Sequence, residues 1–483
     1  MSEHFDVLII GAGVSGIGVA CHLARECPNK TFAILERRKA IGGTWDLFRY
    51  PGIRSDSDMM TFGFGFRPWT AVQTLADGTS IRNYVNDTAR EYGVAEKVRF
   101  GLKITKAEWS STEKKWTLTA THEESGETRV FTCAFLVSAT GYYNYDRGYL
   151  PSFPGEETFK GQRVHPQFWP EDLDYKNKKV VVIGSGATAV TLIPSMADEV
   201  AHITMLQRSP GYILPLPGRD ALAKALRGWL PASWIYKLAR IRNLKLQRFF
   251  YKSSRKNPEK ARKFLLGQAK KRLPEGYDMR HFTPSYMPWD ERLCAVPDGD
   301  LFRAIRKGKA SVVTDSIERF VEDGILLKSG QKLEADIIVT ATGLELQLLG
   351  GVELRIDGQP YAPGKSMMYK ATLVQDVPNF AVIVGYTNAS WTLKVDLAAS
   401  WLCKLLLAMD QRGAKVVTPH APEGEVLENE NVFGALQSGY VKRGEKMLLR
   451  QGKTGPWRVA HNYEFDKAML REVGDDSALT WSP

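Results

Sequence analysis

Two segments of this chain repeat one design: a short apolar run, a turn built on glycine, then a helix-forming stretch. Phe5 to Ile10 (FDVLII) enters Gly11-Ala12-Gly13-Val14-Ser15-Gly16 and continues into Ile17 to Arg25. Lys179 to Ile183 enters Gly184-Ser185-Gly186-Ala187-Thr188-Ala189 in the same way. A strand turned sharply into a helix must be followed by a parallel strand through a right-handed crossover, which leaves few topologies. The expected fold is therefore α/β, with two dinucleotide-binding, Rossmann-like domains. In each, glycine permits the bend and lets a pyrophosphate approach the positive N-terminus of the helix.

The strand after each turn separates the two sites. Thr31 to Leu35 ends on Glu36, about 20 residues beyond the turn, where a carboxylate can accept both ribose hydroxyls. Ile203 to Gln207 ends instead on Arg208 and Ser209, and an arginine there accommodates a 2′-phosphate, which points to NADPH. Two bland alternatives stand beside these readings: a glycine turn without ligand, and a solvated surface arginine. Two nucleotide sites in one chain imply electron transfer between two cofactors, which leaves reductases and monooxygenases.

Phe135 to Gly141 and Asp336 to Gly343 each run a strand into Ala-Thr-Gly, and each is expected to close one half. Between them, helical spacing at Trp234, Leu238, Ile241 and Leu244 lies within proline-rich joints. The expected division is 1–145 and 365–483 for the first nucleotide domain, 152–211 and 286–350 for the second, and 212–285 for a helical insertion in the second.

At 483 residues, with 43% hydrophobic and 25% charged, the chain suits several soluble globular units. It has neither a signal-peptide pattern nor a run of roughly 18 apolar residues, so a cytoplasmic protein is expected. Five cysteines without CxxC spacing, and histidines without ligand spacing, argue against disulfides and give no metal site. The net charge of +11 is concentrated, because residues 237–280 hold 15 Lys plus Arg against 3 Asp plus Glu. A local stretch of this kind gives no reason to expect nucleic acid as a partner. With Trp229, Trp234 and Phe249 beside the charges it could meet an anionic membrane, or it could be a solvated basic face with a buried stripe.

Two further segments narrow the class. Phe159, Gly161, His165, Trp169 and Pro170 fit the spacing FxGxxxHxxxWP between the two glycine turns. Gly43, Trp45, Tyr50, Pro51, Gly52 and Asp56 fit a second spacing, with Thr44 between the first two as a further cofactor-binding candidate. On these residues the chain resembles the type I Baeyer–Villiger monooxygenases, over essentially its whole length, and in the stretch Gly42 to Trp69 with Met279 to Asp300 it resembles most of all the branch containing the ethionamide-activating monooxygenase. The resemblance implies FAD at the first turn and NADPH at the second. It also implies oxygen transfer from O2 to a ketone through a flavin C4a-peroxide, giving an ester or lactone, with sulfoxidation alongside.

The family's active-site arginine follows the insertion, so by resemblance Arg292 is the candidate, oriented by Asp56. A fixed guanidinium would stabilise the peroxide and the tetrahedral oxyanion. Many relatives carry a lysine just before this arginine, where this chain has Glu291, so more of the NADPH preference falls to Arg208 or to the basic insertion nearby. His165 is open between a base and a hydrogen-bonded residue of a linker, and Trp391 between a flavin wall and a core residue. The related enzymes that oxygenate N and S share both turns and are the alternative function.

Overall fold

The computed structural model describes residues 3–291, 293–434, 436, 438–474 and 477–483. The first apolar run forms β1 (Glu3–Ile10), which leads through the glycine turn into α1 (Val14–Glu26) and returns to β2 (Phe32–Leu35), parallel to β1. The strand β3 (Val98–Arg99) extends that edge. On the other side β4 (Leu102–Ser110), β5 (Lys115–His122) and β6 (Thr128–Ser138) form an antiparallel meander, and β6 lies parallel to β1 with Val7 opposite Phe135.

Alternate residues of β4 and β5 are buried, as in a sheet with one face on the core. Trp109 and Trp116, opposite each other in the register, bring their rings to 5.7 Å. Truncating either to alanine would cost about 3–5 kcal/mol, because each fills its site completely.

The second sheet is wholly parallel. Its strands are β7 (Gln162–Val164), β8 (Lys179–Ile183) and β9 (His202–Gln207), with the second glycine turn leading from β8 into α2 (Ala187–Met196). From β10 (Ile213–Leu216) the chain leaves through α3 (Ala221–Leu226), α4 (Ala232–Lys256) and α5 (Pro258–Lys270). It returns at β11 (Cys294–Pro297), parallel to β10. Then α6 (Asp300–Arg306), β12 (Ala310–Thr314) and β13 (Ile337–Thr340) complete the order β12-β9-β8-β13-β7.

The chain goes back to the first sheet at β14 (Glu353–Ile356) and β15 (Gln359–Pro360), which join the free edge of β4. Next come β16 (Met368–Tyr369), β17 (Leu373–Val374) and β18 (Phe380–Val382), the last parallel to β6. The helix α7 (Trp391–Arg412) follows, largely buried and packed on α1. It stops at Gly413, whose φ of 63° is left-handed and whose N–H meets the carbonyls of Met409 and Asp410. A short α8 (Tyr463–Met469) covers α7. Among the described residues no helix is long and apolar enough to cross a membrane.

One loop ties the halves together. Phe48 and Tyr50 leave the first domain and enter the apolar core of the second, beside Val190 and Ile193 of α2. Gly52 lies so close to α2 that a Cβ there would be 1.8 Å from Ser195 Oγ. Arg54 then donates to Asp300 at the head of α6, Nη1 to Oδ2 2.5 Å, with both side chains mostly buried.

Candidate active site

Both glycine turns border one cavity of about 1220 Å³. The first turn is shaped by close approach. Gly11 has φ 101°, and a Cβ there would be 2.9 Å from the Ala139 carbonyl oxygen, while one on Gly16 would be 1.8 Å from the Gly11 oxygen. Gly13 and Gly43 face each other, since a Cβ on Gly43 would reach 2.9 Å from Gly13 Cα. Two residues without side chains thus form a slot at the N-terminus of α1, where no side chain caps the free N–H groups. That is the shape and polarity a pyrophosphate needs.

Glu36 closes the slot at the end of β2. Its Oε2 accepts from the Ala12 N–H at 2.6 Å and its Oε1 from the Arg38 N–H at 2.7 Å. Burial raises its pKa, opposed by those two bonds. The carboxylate lines the cavity with lone pairs left for a diol. Thr44 and Trp45 also line the cavity, on a turn fixed by Asp46, which pairs with Arg38 and Arg49 at 2.8 Å each. A dinucleotide with a ribose and a pyrophosphate therefore fits the residues present.

Asp56 lines the same cavity, as do Glu291, Leu293 and Cys294 on either side of position 292. Arg292 itself lies outside the described residues. From the second turn only Ala187 and Thr188 reach this cavity. Gly184 has φ 136°, and a Cβ there would be 2.3 Å from the Ala341 oxygen, so this turn, too, requires glycine. Ser185 Oγ donates to the Ser209 carbonyl at 3.0 Å, Gly186 is unobstructed, and Ala189 is buried in the core. Arg208 is exposed at the end of β9, outside the cavity.

The residues of the long fingerprint do not line the cavity, and three of them pack within the second domain. Phe159 packs on Phe320, Gly161 lies against the Asp336 carbonyl where a Cβ would be 2.3 Å away, and Trp169 packs near Tyr175. Pro170, which follows, is exposed. His165 Nδ1 accepts from the Gln167 N–H at 3.2 Å, and burial lowers the pKa of the ring, so it is neutral and wedged against Gly148.

The far wall is formed by Trp391, backed by a group without any sequence signature. Trp391, at the head of α7, donates from Nε1 to Ser15 Oγ at 2.7 Å, and so ties α7 to the first turn. Beneath it, Lys394 Nζ lies 2.9 Å from Asp466 Oδ2, with the side chains 2% and 0% exposed. Lys394 also lies 5.2 Å from the ring centre of Tyr386, which lines the cavity with His461. Burial, then repulsion by Lys394, pushes the His461 pKa down to about 4. Burial pushes the phenols of Tyr50 and Tyr145 up to about 12, so both stay protonated.

Comparison with known proteins fits this geometry. A family model described as flavin-binding monooxygenase-like matches residues 5–221. MymA of Mycobacterium tuberculosis, by name an FAD-containing monooxygenase, is 57% identical over 484 residues, covering 99% of this chain and 98% of the relative. The chain belongs to the flavin-binding monooxygenases. EthA of the same organism, also named an FAD-containing monooxygenase, is 52% identical to this monooxygenase, with 100% and 98% covered. The fold of this flavin-binding monooxygenase is shared by an NADP-bound steroid monooxygenase (TM-score 0.80, 21% identical, 99% of each chain). A cyclohexanone monooxygenase shares it as well (TM-score 0.79, 20% identical, 100% of each).

Proposed function

We propose that this monooxygenase binds FAD along α1 and NADPH at the turn before α2, and converts ketones into esters or lactones. One observation carries the reading: a single cavity is lined by Gly13 of the first turn, by Gly43 opposite it, by Glu36 at the end of β2, by Thr188 of the second turn, and by Asp56. A flavin bound there supplies hydride acceptance and the activation of O2. The balance is one ketone, O2, NADPH and a proton giving one ester, water and NADP⁺.

The protein's residues would do the rest. The N–H groups of the α1 terminus hold the pyrophosphate, and Glu36 the ribose. Asp56 orients the Arg292 guanidinium, whose fixed charge meets the oxyanion that develops on the substrate carbonyl. The neutral phenols of Tyr50 and Tyr145, with the Gly42–Asp56 loop, keep water from the flavin edge. Arg208, exposed beside the second turn, takes the 2′-phosphate.

The test is to supply NADPH, O2 and a panel of linear, cyclic and aryl ketones and to weigh the products. Esters one oxygen heavier than the ketone are expected. With Arg292→Ala, product formation should fall by about 10² to 10³ while NADPH still reduces the flavin. Sulfoxides without any ester would instead select the N- and S-oxygenating alternative.

A further inference from the structure

The helix α4 has two faces of different character. Its inner face carries Ile235, Tyr236 and Ala239, all buried. It is anchored by Tyr236, whose hydroxyl donates to the Phe64 carbonyl at 3.0 Å, and by Arg240, which donates to the Gly63 carbonyl at 2.7 Å. The helix is therefore held in place without help from its other side.

That other side is a continuous stripe at helical spacing: Trp234, Leu238, Ile241, Lys245, Phe249 and Lys252. Trp234 is 60% exposed and Phe249 73%, and Trp229, just before the helix, is 85% exposed. All 25 residues of α4 include eight Lys or Arg and no acid. Among the described residues, Lys237, Lys245, Lys252 and Lys256 on this side make no ion pair. Exposed aromatics cost solubility, and unpaired like charges repel one another, so neither serves the isolated fold.

We infer that this face of α4, with Trp229, docks the enzyme on an anionic lipid bilayer. The two ingredients match the two layers of such a surface: the ammonium groups reach the lipid phosphates while Trp and Phe enter the interfacial zone. At about 1.5 Å per residue the helix is roughly 37 Å long and lies along the membrane plane. A duplex nucleic acid, its bases stacked inside, would engage the charges but give Leu238, Ile241 and Phe249 nothing apolar to meet.

The same segment forms a wall of the cavity. Leu246 of α4 and Phe264 of α5 line it although they are 57% and 48% exposed, and Lys252 of the stripe lines it as well, so the cavity reaches the surface beside the docking face. Docking would turn that rim toward the lipid, and apolar substrates dissolved in the bilayer would enter without crossing water. This consequence for substrate rests on the function proposed above; the docking itself does not.

The test is flotation of the flavin-loaded, full-length protein with vesicles of phosphatidylcholine alone or mixed with phosphatidylglycerol, at low and high salt. Binding to the mixed vesicles at low salt is expected, weakened by salt. Lys237→Glu with Lys245→Glu should reduce it by about fivefold or more per lysine. Trp234→Ser with Phe249→Ser should reduce it at least about tenfold. None of these four residues lines the cavity, so NADPH oxidation in solution should be unchanged, which also verifies folding. No flotation with anionic vesicles at low salt would overturn the inference. So would flotation that the aromatic replacements leave intact, or equal flotation with neutral vesicles that charge reversal does not alter.

Discussion

His461 gives a pH dependence whose size can be worked out. Its Nε2 donates to the Val432 carbonyl at 2.6 Å, and Nδ1 accepts from the Thr387 N–H at 3.5 Å. Both nitrogens are thus used by the neutral ring, and a second proton on Nδ1 would displace Thr387 and place a cation near Lys394. Its pKa falls from 6.5 to about 4, through burial first and Lys394 second, opposed by the Val432 bond and by Asp466. A depressed folded value means that the folded state holds fewer protons than the unfolded chain between pH 6.5 and 4. The stabilisation is complete above pH 6.5 and is lost as pH falls toward 4. At about 1.4 kcal/mol per pH unit it is about 3 kcal/mol. With an unfolding entropy near 2.1 cal/mol/K per residue over 483 residues, that is about 3 °C in melting temperature. The comparison variant is His461→Asn, because φ at this position is 46° and asparagine tolerates the left-handed region. Melting curves of both flavoproteins from pH 8 to 4 should keep a constant separation above pH 7, then converge by about 3 °C. Parallel profiles over the whole range would refute the neutral, buried assignment.

Three other outcomes follow from contacts described above. Lys394→Met should destabilise the protein by about 3–5 kcal/mol by leaving Asp466 charged and unpaired, whereas Lys394→Met with Asp466→Leu should recover most of the loss in the same melting assay. Gly52→Ala meets both a left-handed φ of 74° and Ser195, so it should cost more than about 2 kcal/mol and, by lifting the loop from α2, increase peroxide release per NADPH consumed. Arg208→Ala should raise the KM for NADPH while leaving that for NADH nearly unchanged; equal losses with both would remove Arg208 from 2′-phosphate recognition.

The turns and their strands could be read from sequence because their causes are local: Gly11, Gly16 and Gly184 are each required by a carbonyl within a few ångströms, and Glu36 by its place at a strand end. Gly43 and Trp45 were legible as part of a spacing, although their physical reason, the approach of Gly43 to Gly13, appears only in three dimensions. The group of Tyr386, Lys394, His461 and Asp466 had no such signal. Its members are scattered over the last part of the chain, and a lysine within an apolar helix pattern reads as a solvated residue until Asp466 is brought to it. The return of the chain to the first sheet at Glu353, ahead of residue 365, was equally hidden, since β14 is four residues long and pairs with β4, far away in sequence.

That return sets a timetable for the newborn chain. The edges of β4 and β6 wait for strands that begin at Glu353 and Phe380, while every strand of the second sheet lies between them in sequence. At roughly 5–20 residues per second, a ribosome takes on the order of ten seconds to a minute to get from one set to the other. During that interval the inner domain can close while the outer one carries an open β-edge. Fragments ending before Phe380 would keep that edge permanently, and they are the species in which strand-to-strand association between nascent chains should begin.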